Sequence, residues 1–189
     1  MNETIRTILE RRSIRKFKPD PVPRAELELI VKAGLYAPSA RNRQPWHLCV
    51  LEGLERIDRL TAEVKAATAR MPGNPYRDFV GAKSYTVNYH APVFIMVSAN
   101  PEVSSLAEAD CALVLGNMFL AARSLGVGSC WINQLGPISL EPGFRQVLDT
   151  LHVPAGNRIY GCGAFGYPEA WPSEAPARRE GTVVFAEDF

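Results

Sequence analysis

The chain has 189 residues, of which 47% are hydrophobic and 22% charged, and its formal net charge is +1. This length suits one domain spanning residues 1–189 with a sizeable core, and no internal repeat or low-complexity segment is visible. A net charge so close to zero gives no general attraction to nucleic acid or to an anionic membrane, so neither is expected as a partner.

Cysteine usage favours a reducing compartment. None of the four cysteines is close enough to another to form a Cys-x-x-Cys pair, and three lie in apolar surroundings, where a thiol behaves as a small hydrophobe. We therefore expect Cys49, Cys111, Cys130 and Cys162 to be reduced and structural, as in a cytoplasmic protein. The three histidines lack metal-ligand spacing. No signal peptide or membrane span is expected, because the first ten residues are charged and no apolar stretch is long enough.

The first elements are predicted from caps and apolar spacing. Residues 3–11 form a helix that Asn2 can cap. Pro23 begins a second helix, whose apolar residues recur at helical spacing until Pro38 ends it. Residues 46–51 are a short apolar run, typical of a buried strand. A third helix follows and carries its apolar side chains on one face at Ile57, Leu60 and Val64.

The segment 71–84 breaks this regularity. Its Pro-Gly-Asn-Pro sequence is incompatible with a regular element. The segment is either a passive connection or a loop over a binding site.

The second half of the chain begins with the apolar strand 92–99, which should be central. Ser105 and Glu108 resemble a capping box for a helix that ends near Gly126. Apolar residues surround this helix almost completely, so it is buried on several sides, either within one monomer or partly by a second subunit.

Two further strands and one helix are predicted after that helix. Residues 126–133 are a glycine turn leading into a strand, 142–151 are a helix, and 157–166 are a strand whose glycines indicate close packing. Residues 168–176 are rich in proline, and the chain ends with the apolar piece 183–185.

Basic side chains are concentrated in residues 11–17, which we call the arginine motif. Three arginines, a lysine and a serine occur within these seven residues. Guanidinium groups form paired hydrogen bonds with phosphate oxygens, and a serine hydroxyl can add another. The alternative is a solvated basic end of the first helix, since cations also interact favourably with a helix C-terminus.

A second polar stretch, residues 37–46, has donors and acceptors of another kind, and we call it the serine–asparagine motif. Prolines bracket it, and Ser39, Asn42 and Gln44 offer both donors and acceptors. That combination suits the edge of a heterocycle with alternating N–H and C=O groups.

The two motifs together resemble the flavin-dependent nitroreductase family. Arg-Arg-Ser-Ile-Arg-Lys-Phe is followed, at the family's separation, by Ala-Pro-Ser, two residues, Asn, one residue and Gln-Pro-Trp. The resemblance implies that both motifs bind FMN, from opposite subunits of a homodimer. The implied FMN-binding residues of the motifs are Arg11, Arg12, Ser13, Arg15, Pro38, Ser39, Ala40, Asn42 and Gln44. In the family, the segment that corresponds to 71–84 varies and often lies over the substrate side of the flavin, which makes Tyr76 and Lys83 candidates for contacts there.

The resemblance also implies roles for two later segments. Backbone groups of Trp131, Ile132 and Asn133 would pass the reactive edge of the flavin, near N5. Many relatives have proline at the position of Trp131, so its side chain either stacks near the ring or packs in the core. An arginine near the C-terminus would join the phosphate site, with Arg179 the better match and Arg178 the second.

Within this scheme the arginines would interact with two separate negative charges, the phosphate and the reduced ring. Arg11, Arg15 and Arg179 with Ser13 would face the phosphate, and Arg11 or Arg12 would stabilise the charge that develops near N1 and O2 of the ring. Gln44 and Asn42 would hold the pyrimidine edge. Hydride transfer needs no general base, so the absence of a nucleophilic triad fits.

The resemblance, which covers nearly the whole chain, implies an α+β fold with a central, mostly antiparallel β-sheet flanked by helices, in an intertwined homodimer. It implies an oxidoreductase that uses NADH or NADPH to reduce small-molecule acceptors such as nitroaromatics or quinones, with ping-pong kinetics. Two alternatives remain. One is another reaction on the same scaffold (dehalogenation, flavin destruction or azoline dehydrogenation), and the other is a non-catalytic flavin-binding protein.

Overall fold

A computed structural model of the chain describes residues 1–186, and a four-stranded antiparallel sheet lies at its centre. The strands are β1 (Trp46–Glu52), β2 (Val93–Ala99), β3 (Gly128–Ile132) and β4 (Arg158–Gly166). Their order across the sheet is β1-β2-β4-β3, so β1 and β3 are the two edges. The predicted α+β fold with an antiparallel sheet is confirmed.

Seven α-helices cover the sheet within residues 1–186. They are α1 (Glu3–Glu10), α2 (Arg24–Leu35), α3 (Leu54–Ala69), α4 (Arg77–Gly81), α5 (Ala107–Ser124), α6 (Leu135–Ile138) and α7 (Pro142–Thr150). Alternate residues of β2 belong to two hydrophobic cores. Phe94 and Met96 pack with α3, α6 and α7. Val93, Ile95 and Val97 pack with α2 and α5. All seven residues of β2 are buried, which confirms the prediction of a central strand.

The predicted elements of the N-terminal half are present. Asn2 accepts a hydrogen bond from the Ile5 backbone N–H at 3.0 Å and so caps α1. The segment 71–84 is irregular over 71–76, as predicted, but it also contains the short helix α4, which the sequence analysis did not predict.

The predicted capping box at the start of α5 is wrong. The hydroxyl of Ser104, not Ser105, accepts from the Leu106 backbone N–H at 3.2 Å and donates to the Asp110 carboxylate at 3.1 Å. The end of α5 is as predicted. Gly126 adopts φ +76°, a left-handed conformation that glycine takes without steric penalty.

The helix α5 is only partly enclosed. Leu115 and Met118 are fully buried against the sheet and α2, whereas Leu113 keeps 47% of its surface exposed. The glycines of β4 lie under this helix, as predicted: a Cβ on Gly161 would lie 2.7 Å from Leu115 Cδ1, and one on Gly163 would lie 3.1 Å from Phe119 Cε1.

The four cysteines are free thiols, and burial raises the pKa of each. Residues 1–186 contain no group of three or more His, Cys, Asp or Glu side chains placed to hold a metal ion. In the same part of the chain, no helix has both the length and the apolar character that crossing a membrane would require.

The final apolar piece, predicted at 183–185, does not join the sheet of its own chain. Val183, Val184 and Phe185 are exposed and lie outside any strand. The chain beyond Trp171 therefore forms an extended arm as far as residue 186.

Candidate active site

The arginine motif lies along the β3 edge of the sheet. After α1 the chain is extended, Ser13 forms a parallel bridge with Ser129, and the Ile14 backbone N–H donates to the Ser129 carbonyl at 2.9 Å. Ile14 is buried and fits so closely that a Cβ on Gly128 would lie 2.8 Å from its Cγ1. Since side chains of an extended chain alternate, burying Ile14 directs Ser13 and Arg15 together towards solvent.

The arginines of this motif have different partners. The Arg12 guanidinium turns back to donate to the Leu9 and Arg11 carbonyls at 2.7 and 2.8 Å, so it satisfies carbonyls at the C-terminus of α1. Its Nε is buried and has no partner among the described residues. The Arg15 guanidinium carbon lies 6.0 Å from the ring centre of Tyr89, within range of a cation–π interaction.

The cations of the arginine motif also act on the neighbouring strand. Burial raises the pKa of the Cys130 thiol, and the charges of Arg15 and Arg11 oppose that rise.

Beyond Ser129 the outer edge of β3 is open. The Ser129 carbonyl points outward to Ile14, and backbone direction alternates along a strand, so the N–H group of Trp131 also points away from β4. An edge strand presents such groups to any partner that approaches. The predicted role of this segment, backbone contact with a flat heterocycle, stays a prediction that the edge geometry supports.

The Trp131 side chain combines the two placements that the sequence left open. Its indole packs edge-on against Phe119, with ring centres 6.3 Å apart, and lies over Gly161. The residue nonetheless keeps 37% of its surface exposed. One edge of the indole is therefore held by the core while another part of its surface is available to a ligand.

Asn133 connects the β3 edge to the irregular segment before α4. Its Nδ2 donates to the Tyr76 hydroxyl oxygen at 2.9 Å, between residues 57 positions apart in the sequence. Tyr76, one of the two residues proposed for contacts in that segment, thus lies at the site, whereas Lys83 is exposed and forms no described hydrogen bond or ion pair within residues 1–186.

The serine–asparagine motif forms a strained turn before β1. Arg41, Asn42 and Gln44 have φ values of 55°, 54° and 45°, in the left-handed region that non-glycine residues rarely adopt. Within the turn, the Ser39 hydroxyl accepts from the Gln44 N–H at 3.0 Å, and Gln44 Nε2 donates to Asn42 Oδ1 at 2.9 Å.

Two contacts hold this turn against α5 and the segment before it. The buried carboxylate of Asp110 accepts from the Ala40 N–H at 3.0 Å, and Arg43 donates to the Val103 carbonyl at 2.6 Å. The sequence analysis missed Asp110 as a supporting residue. An acidic residue directly before the most apolar part of a helix was the available signal.

The two motifs lie at opposite corners of the sheet. The serine–asparagine motif precedes Trp46, which is level with Arg158 on β4, whereas Ser13 is level with Phe165, seven residues further along β4. The separation is about 23 Å along the strands and about 19 Å across four strand spacings, hence about 30 Å overall. One flavin cannot contact both motifs of the same chain.

The remaining predicted residues, Arg178 and Arg179, lie in the extended arm. Both are exposed, and neither contacts the arginine motif within residues 1–186. The arm begins at Trp171, whose ring lies 4.2 Å from the guanidinium carbon of Arg123. The structure therefore brings Arg11, Ser13, Arg15, Trp131 and Asn133 to one edge but leaves both arm arginines and the serine–asparagine motif apart from them.

Comparison with known proteins gives consistent matches over most of the chain. The model of the nitroreductase family matches residues 8–167. A Thermus thermophilus protein named NADH dehydrogenase is 54% identical over 186 residues, with 87% of each chain covered. The NADPH-flavin oxidoreductase of Vibrio harveyi is 28% identical over 195 residues, covering 100% of this chain and 75% of that protein. The crystal structure of a Bacteroides fragilis nitroreductase with bound FMN has a TM-score of 0.92 and 37% identity, covering 99% of this chain and 100% of that chain.

Proposed function

The chain belongs to the nitroreductase family, and we propose that this FMN-dependent NAD(P)H oxidoreductase reduces nitroaromatics, quinones or related acceptors at a site built by two copies of the chain. When bound, FMN supplies the redox chemistry, taking hydride equivalents from a nicotinamide and passing them to an acceptor. The protein supplies binding, orientation and electrostatics.

The residues along the β3 edge fit FMN chemically. Arg11, Arg15 and the Ser13 hydroxyl offer cations and a donor to a phosphate, and the buried, unpartnered Nε of Arg12 is a further donor beside them. Asn133 lies four residues beyond Ser129, about 13 Å along the strand, which suits a ligand with a phosphate at one end and a flat ring at the other. The outward N–H group of Trp131 is a donor for that ring, and we propose that Ile132 and Asn133, which follow it, complete the contact.

The observation that carries the two-copy proposal is the distance of about 30 Å between the two motifs. Each motif has donors and acceptors suited to one part of FMN, and a single chain cannot bring them together. In a homodimer, the serine–asparagine motif of one copy meets the β3 edge of the other. Pro38, Ser39, Ala40, Asn42 and Gln44 then hold the pyrimidine side of the ring.

Two exposed features suit the same homodimer. Helix α5 exposes Leu113, and the arm exposes Val183, Val184 and Phe185. Beside the outer edge of β1, between α3 and α7, lies a groove of about 820 Å³. We propose that the arm of the second copy pairs with this edge as an additional strand. On its way to that edge the arm would pass the place where the two motifs meet, and we propose that Arg178 and Arg179 join the phosphate site there.

The site needs no general base of its own, because hydride transfer moves the proton with its electron pair. A nicotinamide and an acceptor that use the same open face of the site exclude one another, so we propose ping-pong kinetics. Free thiols throughout the described chain support a reducing compartment, and we propose the cytoplasm.

The test is a visible absorbance spectrum of the purified protein, repeated after anaerobic addition of NADH and then NADPH. Flavin bands that bleach, and return when a quinone or nitroaromatic is added, are the expected result. Bands that persist would mean a flavin-binding protein without this activity. Arg15→Gln should weaken FMN binding about tenfold or more, because a hydrogen-bonded charge is lost, whereas Arg59→Gln on the exposed side of α3 should not change it.

A further inference from the structure

The Tyr76 hydroxyl uses only part of its hydrogen-bonding capacity. Its oxygen accepts a hydrogen bond from Asn133 Nδ2 at 2.9 Å. A phenol has one hydrogen to donate and an oxygen that accepts, so this bond leaves the hydroxyl hydrogen available. No residue among 1–186 accepts it.

The phenol is held in place rather than loosely exposed. Tyr76 is half-buried against the core that contains α3 and α7. Its backbone N–H donates to Asn74 Oδ1 at 2.8 Å, and the Asn74 carbonyl accepts from the Arg77 N–H at 3.1 Å, so the turn before α4 is fixed at both sides. A donor fixed in this way loses little entropy when a ligand binds.

A second polar group in the same turn lacks a partner. The Asn74 side chain is only 7% exposed, and its Nδ2 is buried without a hydrogen-bond partner among the described residues. Buried polar groups are nearly always satisfied, by protein, water or ligand. Of the two donors, the Tyr76 hydroxyl is the one that its bond with Asn133 places beside the end of β3.

We propose that the Tyr76 hydroxyl donates a hydrogen bond to a nitro or carbonyl oxygen of the electron acceptor. This inference rests on the proposed function, because it assumes that the acceptor is bound at the β3 edge next to Asn133. An oxygen of a quinone or nitro group becomes more negative as the acceptor takes up electrons. A fixed donor therefore stabilises the transition state more than the ground state.

The test compares Tyr76→Phe with the wild-type holoenzyme on two kinds of acceptor. A quinone offers an oxygen to the hydroxyl, whereas ferricyanide accepts electrons without an oxygen to bind. We expect kcat/KM for the quinone to fall about tenfold, and to fall clearly more than ferricyanide turnover or the rate of flavin reduction by NAD(P)H. Tyr160→Phe, which removes the hydroxyl of a half-buried tyrosine on β4, is the matched control and should change neither acceptor.

A binding measurement separates this role from turnover. An unreactive aromatic aldehyde, titrated into oxidised holoenzyme and followed by the change in flavin absorbance, should bind Tyr76→Phe several-fold more weakly than wild type. Equal losses with quinone and ferricyanide, or unchanged quinone turnover and aldehyde binding, would overturn the inference. A wild-type flavin that NAD(P)H fails to reduce would overturn the proposed function, and the inference with it.

Discussion

Replacing Gly161 by alanine tests whether packing in the core controls the position of Trp131 at the candidate site. A Cβ there would lie 2.5 Å from Trp131 Cζ2 and 2.7 Å from Leu115 Cδ1. Leu115 is completely buried, whereas Trp131 is 37% exposed, so the indole is the group that can move. Gly161→Ala should therefore push Trp131 outward while the backbone of β4 stays in place.

The expected destabilisation is that of an overpacked core, about 2 kcal/mol. For a chain of this length that corresponds to a fall in Tm of roughly 4–8 °C. Denaturant unfolding should be measured at one protomer concentration, since association contributes to apparent stability. Gly73→Ala is the control, because no atom lies within 4 Å of a Cβ at Gly73.

A double-mutant cycle with Trp131→Leu identifies the cause. Leucine lacks the two ring atoms that a Cβ on Gly161 would meet first, so Gly161→Ala should cost about 1 kcal/mol less in that background. FMN binding should weaken in Gly161→Ala alone, since Trp131 lies on the predicted flavin edge. Additive free energies of unfolding, or a loss below about 0.5 kcal/mol for Gly161→Ala, would refute the reasoning.

Three further predictions concern other elements. Leu113→Glu places a charge on the exposed face of α5 and should convert the protein to monomers in sedimentation, with FMN affinity falling in parallel. Asp110→Ala removes the acceptor of the Ala40 N–H and should cost about 1–3 kcal/mol in denaturant unfolding, together with weaker FMN binding. The hydrogen bond from Arg70 lowers the pKa of Glu141 to about 2 from 4.5. Because the folded-state pKa is the lower one, this stabilisation is complete above about pH 4.5 and is lost as the pH falls towards 2. Glu141→Gln should flatten that part of the stability profile, and an unchanged urea midpoint profile between pH 5 and 3 would contradict the assignment.

The sequence predicted elements whose pattern spans several turns or a whole strand. β2 was identifiable because an unbroken apolar run of strand length must be covered on both faces. Short elements were not: α4 and α6 have five and four residues, less than two helical turns, so no periodicity can distinguish them from turns. The capping box of α5 was predicted wrongly because Ser105 and Glu108 have the right spacing in the sequence, whereas in the structure it is the Ser104 hydroxyl that bonds to the Leu106 N–H and to Asp110.

The candidate site was predictable in its parts but not in its assembly. Ser13 and Arg15 point outward because Ile14 between them is buried, an alternation that the sequence already contains. The contact between Asn133 and Tyr76 depends on where a loop folds, and no local pattern encodes it. Trp131 illustrates the same limit, since its dual placement depends on Phe119 and Gly161 from other elements.

Contacts within the chain stabilise the strained turn of the serine–asparagine motif. Three left-handed non-glycine residues, Arg41, Asn42 and Gln44, cost about 1–2 kcal/mol each. The Asp110 carboxylate and the Ser39 hydroxyl offset that cost within the same chain, before any cofactor or second copy arrives. Binding then needs only the association of two preformed halves, so FMN and the second copy should each strengthen the binding of the other. If the site is divided between two copies as proposed, cofactor binding and association are therefore coupled equilibria.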